Sequence, residues 1–105
     1  MIMYVYYLKD DNSIDMLEVE VRETSKTYSR IGGKTFVRKE NVNRAVAHGT
    51  IEYANRCFLT ENNPDKAKEI LIEQYRLYIE WTKNYYKDIV REGYKRLRIM
   101  KQSVI

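Results

Sequence analysis

The sequence predicts an α+β fold in which a small antiparallel sheet is followed by one long helix. Residues 1–62 consist of short β-prone runs separated by turn signals, whereas residues 63–101 keep a helical period of 3.6. With 105 residues, of which 44% are hydrophobic, the chain is long enough for one small core. We therefore predict a single domain, residues 1–105, with a β-rich part and a helical part.

Five short runs of aromatic, β-branched or alternating residues form the predicted sheet. Leu17 interrupts the alternation of the second run, which predicts a bulge or bend there. Gly32 and Gly33 predict a tight hairpin between the third and fourth runs, because glycine tolerates positive φ. Residues 39–46 are too short for more than one or two helical turns. The predicted strands are residues 2–8, 14–23, 24–31, 34–38 and 50–59.

The long helix has a well-marked start. The side chain of Asn63 can cap the helix by accepting a hydrogen bond from a backbone N–H, and Pro64 loses no intrahelical bond at the first helical position. The negative charge of Asp65 interacts favourably with the positive end of the helix dipole. A helix from there to Lys101 would run about 55 Å, more than a domain of this size can cover. Its apolar residues also span about half of its circumference, so we expect two packing neighbours rather than one.

This order of elements predicts a strongly bent antiparallel sheet, or a partly open barrel of the Src-homology-3-like kind, covered by the helix. An open antiparallel sheet with the helix across one face is the alternative, and it is also α+β.

Ten tyrosines are many for this length. Tyr75, Tyr78 and Tyr85 fall on the apolar side of the predicted helix, so we expect them in the core rather than stacked on bases. Core positions are also expected for the strand tyrosines, while Tyr94 falls on the polar side of the helix. The strand tyrosines are Tyr4, Tyr6, Tyr28 and Tyr53.

The net charge of +4 is concentrated at the end of the chain. Residues 1–80 carry twelve basic and thirteen acidic residues, whereas residues 81–105 carry seven basic residues against Asp88 and Glu92. Cations near the C-terminus of a helix are favoured by the helix dipole. Like charges four residues apart repel each other, however, so an anionic partner would explain the pattern better than the dipole does. Gly93 predicts a weak point in this part of the helix. The predicted partner-binding residues are Lys83, Lys87, Arg91, Tyr94, Lys95, Arg96, Arg98 and Lys101.

Catalytic and metal sites are not indicated. The sequence has one histidine, His48, and one cysteine, Cys57, which are too few ligands of these types for a metal site. A lone cysteine such as Cys57 is more often a small buried hydrophobic residue than a nucleophile. The run from Gly32 to Thr35 only superficially matches a phosphate-binding loop, because strand residues follow it. We expect no enzyme activity, no cofactor and no metal.

A single cysteine excludes an intrachain disulfide and is typical of a protein in a reducing cytoplasm. The apolar residues at the start reach charged Lys9 too soon for a signal peptide or a membrane span. We therefore expect a cytoplasmic protein that does not bind membranes.

Three segments resemble small accessory proteins of phages and mobile elements of Gram-positive bacteria: residues 26–28, 36–42 and 60–71. The resemblance implies a small binder of host or phage machinery, a class that includes inhibitors of bacterial defence such as anti-CRISPR proteins. Many of those inhibitors are acidic mimics of DNA, and this basic chain departs from that pattern.

Three hypotheses follow. The first is a non-enzymatic accessory or anti-defence protein that binds a host protein or ribonucleoprotein complex by steric occupation. The second is a nucleic-acid-binding module that uses the basic helix end. Its affinity for nucleic acid would fall steeply as the salt concentration rises. The third is a structural role through pairing of the long helix in a homodimer.

Overall fold

The structure is a computed structural model and describes residues 1–33 and 35–102. Five antiparallel strands form one sheet in the order β4-β3-β2-β1-β5, and one long helix follows, so the predicted α+β fold is confirmed. A 3-10 turn, Lys39–Asn41, lies within the predicted short turns. The elements are β1 (Ile2–Leu8), β2 (Ile14–Glu23), β3 (Thr27–Arg30), β4 (Thr35–Arg38), α1 (Ile51–Ala54), β5 (Arg56–Leu59) and α2 (Pro64–Gln102).

The sheet is curled into a half-barrel. Although β4 and β5 are its two edge strands, the rings of Phe36 and Phe58 meet edge to face with centroids 5.4 Å apart. The gap beside β5 is bridged by Asn43, whose backbone N–H donates to the Phe58 carbonyl at 2.8 Å. The Asn43 side chain also accepts from the Thr60 backbone N–H at 3.0 Å. The strongly bent sheet of the prediction is therefore what forms.

Apolar side chains are buried on both faces of this sheet. Because neighbouring residues of a strand point to opposite faces, Met3 and Val5 of β1 belong to one cluster and Tyr6 to the other. The first cluster fills the inner face and includes Val21 of β2. The second lies under α2, which contributes Ala67, Ile70 and Leu71. The helix thus covers the outer face, over β1 and β5, and leaves the inner face to the strands.

The bulge predicted at Leu17 is absent. The pairing of β1 with β2 runs without a shift from Ile2 opposite Glu20 to Leu8 opposite Ile14. The irregular pattern arises because both faces are apolar here: Met16 packs against the cluster under α2, and Leu17 points to the inner side with Val19. The register shift lies instead between β3 and β4, at Tyr28 and Ser29.

The predicted turn at the two glycines forms between β3 and β4, but it is longer than the predicted two-residue turn. Gly32 has a φ of 75°, which favours glycine, and the Gly33 N–H donates to the Arg30 carbonyl at 3.0 Å. Four residues separate the strands, and one of them, Lys34, lies outside the described residues.

The prediction of one strand over residues 50–59 is wrong in its first half. Ile51–Ala54 forms a single helical turn, α1, closed by the bond from the Asn55 N–H to the Ile51 carbonyl, and only Arg56–Leu59 pairs with β1. Packing on α2 decides this local choice, because Ala54 is fully buried there, whereas Tyr53, predicted to be core, is 59% exposed. Gly49 lies against α2: a Cβ added there would be in ordinary van der Waals contact with the Trp81 ring, at 3.4 Å.

The long helix starts as predicted and continues farther than the domain. The Asn63 side chain accepts the Lys66 backbone N–H at 3.1 Å, which is the predicted cap. The break considered at Gly93 does not occur, because α2 is continuous to Gln102. The described residues span 67 × 29 × 20 Å, and the helix accounts for the long axis.

A candidate binding surface on the projecting helix

The first half of α2 is fixed to the domain by one polar side chain as well as by its apolar face. Gln74 is only 2% exposed. Its amide nitrogen donates to the carbonyls of Ala54 at 3.1 Å and Arg56 at 2.7 Å, and its amide oxygen accepts the Val46 N–H at 3.3 Å. The chain on both sides of α1 is thereby held against the helix. The sequence pattern did not identify this residue, since a glutamine among helical residues is usually exposed.

Beyond Thr82 the helix leaves the domain. Every residue from Lys83 to Gln102 is exposed, and these twenty residues extend about 30 Å. We call this segment the projecting arm. Tyr85 was predicted to be core but is 50% exposed, and it stacks on the Trp81 ring at 5.2 Å. The prediction failed because the sheet ends before the apolar pattern of the helix does.

The predicted partner-binding residues all lie on this arm, and most of them share one side. Members four residues apart are separated by about 6 Å along the axis, which makes them a continuous line of cations. Tyr94, 64% exposed, lies on the same side, whereas Arg96 lies on the opposite side of the helix. We call the shared side the basic ridge: Lys83, Lys87, Arg91, Lys95, Arg98 and Lys101.

Few carboxylates neutralise the basic ridge. Arg91 lies 3.8 Å from Asp88, and Arg96, off the ridge, lies 3.9 Å from Glu92. Both pairs are strongly exposed, and such pairs contribute little to stability. Within residues 1–33 and 35–102, the other cations of the ridge have no carboxylate within 4.0 Å. The ridge therefore presents nearly its full positive charge to solvent.

A second surface on α2 is apolar and also exposed. Its residues lie beside the face that packs on the sheet, and their side chains are between 37% and 65% exposed. The surface runs from the domain onto the projecting arm, with Thr82 and Gly93 between its large apolar side chains. We call it the exposed stripe: Ile72, Tyr75, Ile79, Tyr86, Ile89, Leu97 and Met100.

The curled sheet also forms a cleft that the sequence did not predict. It has a volume of about 670 Å³ and opens on the inner face, between Leu17 and the α1–β5 connection. Its floor includes Phe36 and Phe58, and Arg30 lies over the Phe36 ring at 5.1 Å. Strand alternation indicates which side chains face inward, but the distance between edge strands depends on the curl and cannot be read from it.

Of the two residues considered for chemistry, Cys57 is buried and His48 is partly buried. Cys57 is 2% exposed and its thiol faces the Ala67 carbonyl oxygen at 3.8 Å. Burial raises the pKa of this thiol to about 11, so it stays protonated at neutral pH, whereas nucleophilic cysteines require the thiolate. His48 stacks on Tyr53, with ring centroids 5.9 Å apart, and burial lowers its pKa.

No cluster of three or more His, Cys, Asp or Glu side chains suited to a metal ion is found in the described residues. The strand β4 begins at Thr35, so no helix follows the glycine turn as a phosphate-binding loop would require.

Comparison with known proteins assigns no family: no family model matches the sequence, and no curated protein or solved structure matches it significantly. Among residues 1–33 and 35–102, no helix combines the length and apolarity needed to cross a membrane.

Proposed function

We propose that this chain is a non-enzymatic binding protein that attaches to a host protein or ribonucleoprotein complex and blocks or modulates it by occupying its surface. The observation that carries the proposal is the basic ridge on an arm exposed on all sides. An arm about 30 Å long can enter a channel or cross a surface that the domain itself does not reach.

The position of the ridge argues against a purely structural role. Favourable interaction of cations with the helix dipole is confined to the last turn. Lys83, Lys87 and Arg91 lie about three turns or more before Gln102, so the dipole does not account for them. Like charges four residues apart repel by a few tenths of a kcal/mol, which an anionic partner would offset.

The biological class follows from the resemblance to accessory proteins of phages and mobile elements. Within that class we favour an anti-defence role of the anti-CRISPR kind. A basic arm would bind an acidic protein surface or the nucleic acid of the target complex, and it would not replace DNA as an acidic mimic does.

The experiment is a plasmid-interference assay in a Gram-positive host whose CRISPR complex targets the incoming plasmid. We expect the chain to restore transformation, and the double variant Lys87→Glu plus Arg91→Glu to lose this effect. The matched control reverses two exposed cations of the β-rich part, Lys26→Glu plus Arg44→Glu, and should keep it. Failure of the native chain to restore transformation, or full activity of the ridge variant, would contradict the proposal.

The mode of action is tested with the purified complex. Steric occupation predicts that inhibition saturates at a fixed ratio of chain to complex, with the chain recovered in the bound fraction. Inhibition by far less than one chain per complex would instead indicate turnover and would refute a non-enzymatic mechanism.

Direct binding of free nucleic acid is the second candidate, and the solvent-facing Tyr94 on the ridge side favours it, because an exposed aromatic ring can stack on a base. In this case the affinity for DNA or RNA falls steeply with salt, and each phosphate that the protein neutralises adds about 0.7–0.9 to the logarithmic slope. The ridge variant, in which two cations are reversed, should then have a slope that is smaller by about 1.4–1.8. An unchanged slope would remove the ridge as a nucleic-acid site.

A further inference from the structure

We infer that α2 pairs with α2 of a second copy of this chain, in antiparallel orientation, through the exposed stripe. This inference does not rest on the proposed function, because the stripe and the basic ridge occupy different sides of the helix, roughly 115° apart.

The spacing of the stripe is that of a helix-pairing surface. Positions 72, 75, 79, 82, 86, 89, 93, 96 and 100 alternate in steps of three and four, which is the a/d pattern of a coiled coil. Six of these nine residues are large and apolar, the others being Thr82, Gly93 and Arg96, and Leu97 adds an apolar side chain next to the pattern. The face that packs on the sheet uses other residues, Ala67, Ile70 and Leu71, so pairing does not compete with the fold.

The area of the stripe is sufficient for a stable pair. Its seven large side chains are each about half exposed. Covering them, together with the stems of neighbouring side chains, would remove several hundred Å² per chain from water, close to the roughly 800 Å² per partner that specific interfaces bury. A single projecting helix otherwise leaves all of this surface in water.

Charge selects the antiparallel orientation. In a parallel pair, the two segments 81–102 would lie side by side, each with seven basic residues against two acidic ones. In an antiparallel pair centred on Tyr86, each of these segments lies beside residues 70–91 of the other chain. That part of the helix has three acidic residues, Glu73, Glu80 and Asp88, against four basic ones, so its net charge is +1, compared with +5 for residues 81–102. Antiparallel pairing therefore weakens the repulsion considerably.

The side chains define the register. A two-fold axis at Tyr86 places Ile72 opposite Met100, and Ile79 opposite Gly93. Within the single chain nothing lies within 4 Å of a Cβ built on Gly93, so the fold gives no reason for glycine there. Glycine inside a helix costs about 1 kcal/mol relative to alanine. In the pair, the missing side chain leaves room for Ile79 of the second copy.

A groove on the domain can bind the end of the second helix. A groove of about 530 Å³ runs along the first half of the stripe, between Ile72, Tyr75 and Ile79 on one side and Leu8 and Ile14 of the β1–β2 hairpin on the other. The chosen register brings Leu97 and Met100 of the second copy to this groove. The ridges of both chains then face outward: they begin near the two-fold axis, at Lys83 and Lys87, and end at opposite ends of the pair, at Arg98 and Lys101.

The first test measures the mass in solution. One chain has a mass of 12.7 kDa, so we expect about 25 kDa by light scattering or sedimentation equilibrium, and about 12.7 kDa for Leu97→Glu. Asn84→Glu is the control: it adds the same charge at an exposed position on the side of the helix that faces away from the stripe, and should keep the mass of the pair. A native mass of 12.7 kDa at roughly 100 µM, where a micromolar pair is almost wholly dimeric, would overturn the inference. So would equal effects of the two variants.

The second test measures orientation by disulfide cross-linking of Ile72→Cys with Met100→Cys. An antiparallel pair forms the disulfide only when the two variants are mixed, whereas a parallel pair links each variant to itself. The native thiol of Cys57 is 2% exposed and does not interfere, which the native chain verifies. Self-linking without mixed linking would overturn the antiparallel orientation, and no linking at all in a species of twice the chain mass would overturn the register.

Discussion

At the scale of single residues, Gln74 is the most consequential position in the chain. It is buried in α2 and makes three hydrogen bonds to the backbone on both sides of α1. Without these bonds two carbonyl groups and one N–H group would lose their partners inside the protein. The side chain thus ties Val46, the end of α1 and the start of β5 to α2.

We expect Gln74→Met, which keeps the length of the side chain, to lower the free energy of unfolding by about 2–4 kcal/mol. Each buried polar group left unpaired costs about 1–3 kcal/mol, and part of this is relieved by water. Urea denaturation measures the effect. Gln102→Met at the exposed end of the same helix is the control and should change the free energy of unfolding by less than about 0.5 kcal/mol. A similarly small loss for Gln74→Met would show that these bonds contribute little.

At the scale of elements, the two ends of α2 show what a sequence can predict. The start was predicted correctly because it depends on neighbouring residues: the Asn63 cap and Pro64 act within one turn. The length of helix that the sheet covers was not predicted. Tyr75, Tyr78 and Tyr85 have the same periodicity, but only Tyr78 is more than about two-thirds buried, because coverage depends on the width of the sheet.

The fifth strand shows a second limit. Residues 50–59 contain β-prone side chains throughout, yet the first part becomes α1. Local propensity is a weak preference, and the burial of Ala54 and the bonds from Gln74 outweigh it. Contacts of this kind come from residues about twenty positions away, beyond the reach of a short sequence pattern.

The projecting arm is a single helix in water, so its local stability depends on intrinsic helix propensity. We expect Gly93→Ala to stabilise the arm locally by about 1 kcal/mol, since alanine is favoured and no atom would contact the new methyl group. The measurement is amide hydrogen exchange over residues 88–98, in a Leu97→Glu background so that pairing does not contribute. Faster exchange in the Ala variant would mean that the glycine has a role within the single chain.

At the scale of the whole molecule, the chain divides into a folded body and an arm. The radius of gyration of the described residues is 19.5 Å, compared with about 13 Å for a compact domain of 100 residues. Both buried clusters are built from residues between Met3 and Leu71. The body should therefore fold without the arm.

We expect a chain ending at Tyr86 to retain the stability of the body. The truncation keeps Trp81, which lies against Gly49, and removes the exposed helix up to Gln102 together with residues 103–105. Compared with full-length Leu97→Glu, which is also unpaired, its thermal midpoint should change by less than roughly 4 °C, about 1 kcal/mol for a domain of this size. Calorimetry measures the midpoint. A larger drop would show that the arm contributes to the body, and retained inhibition of a host complex would place the binding surface elsewhere.

The candidate site was predictable to the extent that it depends on one helix. The residues of the basic ridge follow from charge and helical spacing alone, and only Arg96 lies on another side. The exposed stripe could be predicted only as an excess of apolar surface. Its division from the buried face became visible once Ala67, Ile70 and Leu71 were placed against the sheet. What the ridge binds stays a prediction.

The position of β1 between β2 and β5 has a consequence for synthesis of the chain. Leu8 and Arg56 are separated by a stretch that takes the ribosome about 2–10 s to add, at roughly 5–20 residues per second. During that interval β1 can pair with β2, while its other edge offers unpaired N–H and C=O groups to any neighbouring nascent chain. The outer face of β1 stays uncovered for longer still, because Ala67 and Ile70 are added after β5. Slow elongation should therefore favour aggregation of ribosome-bound chains.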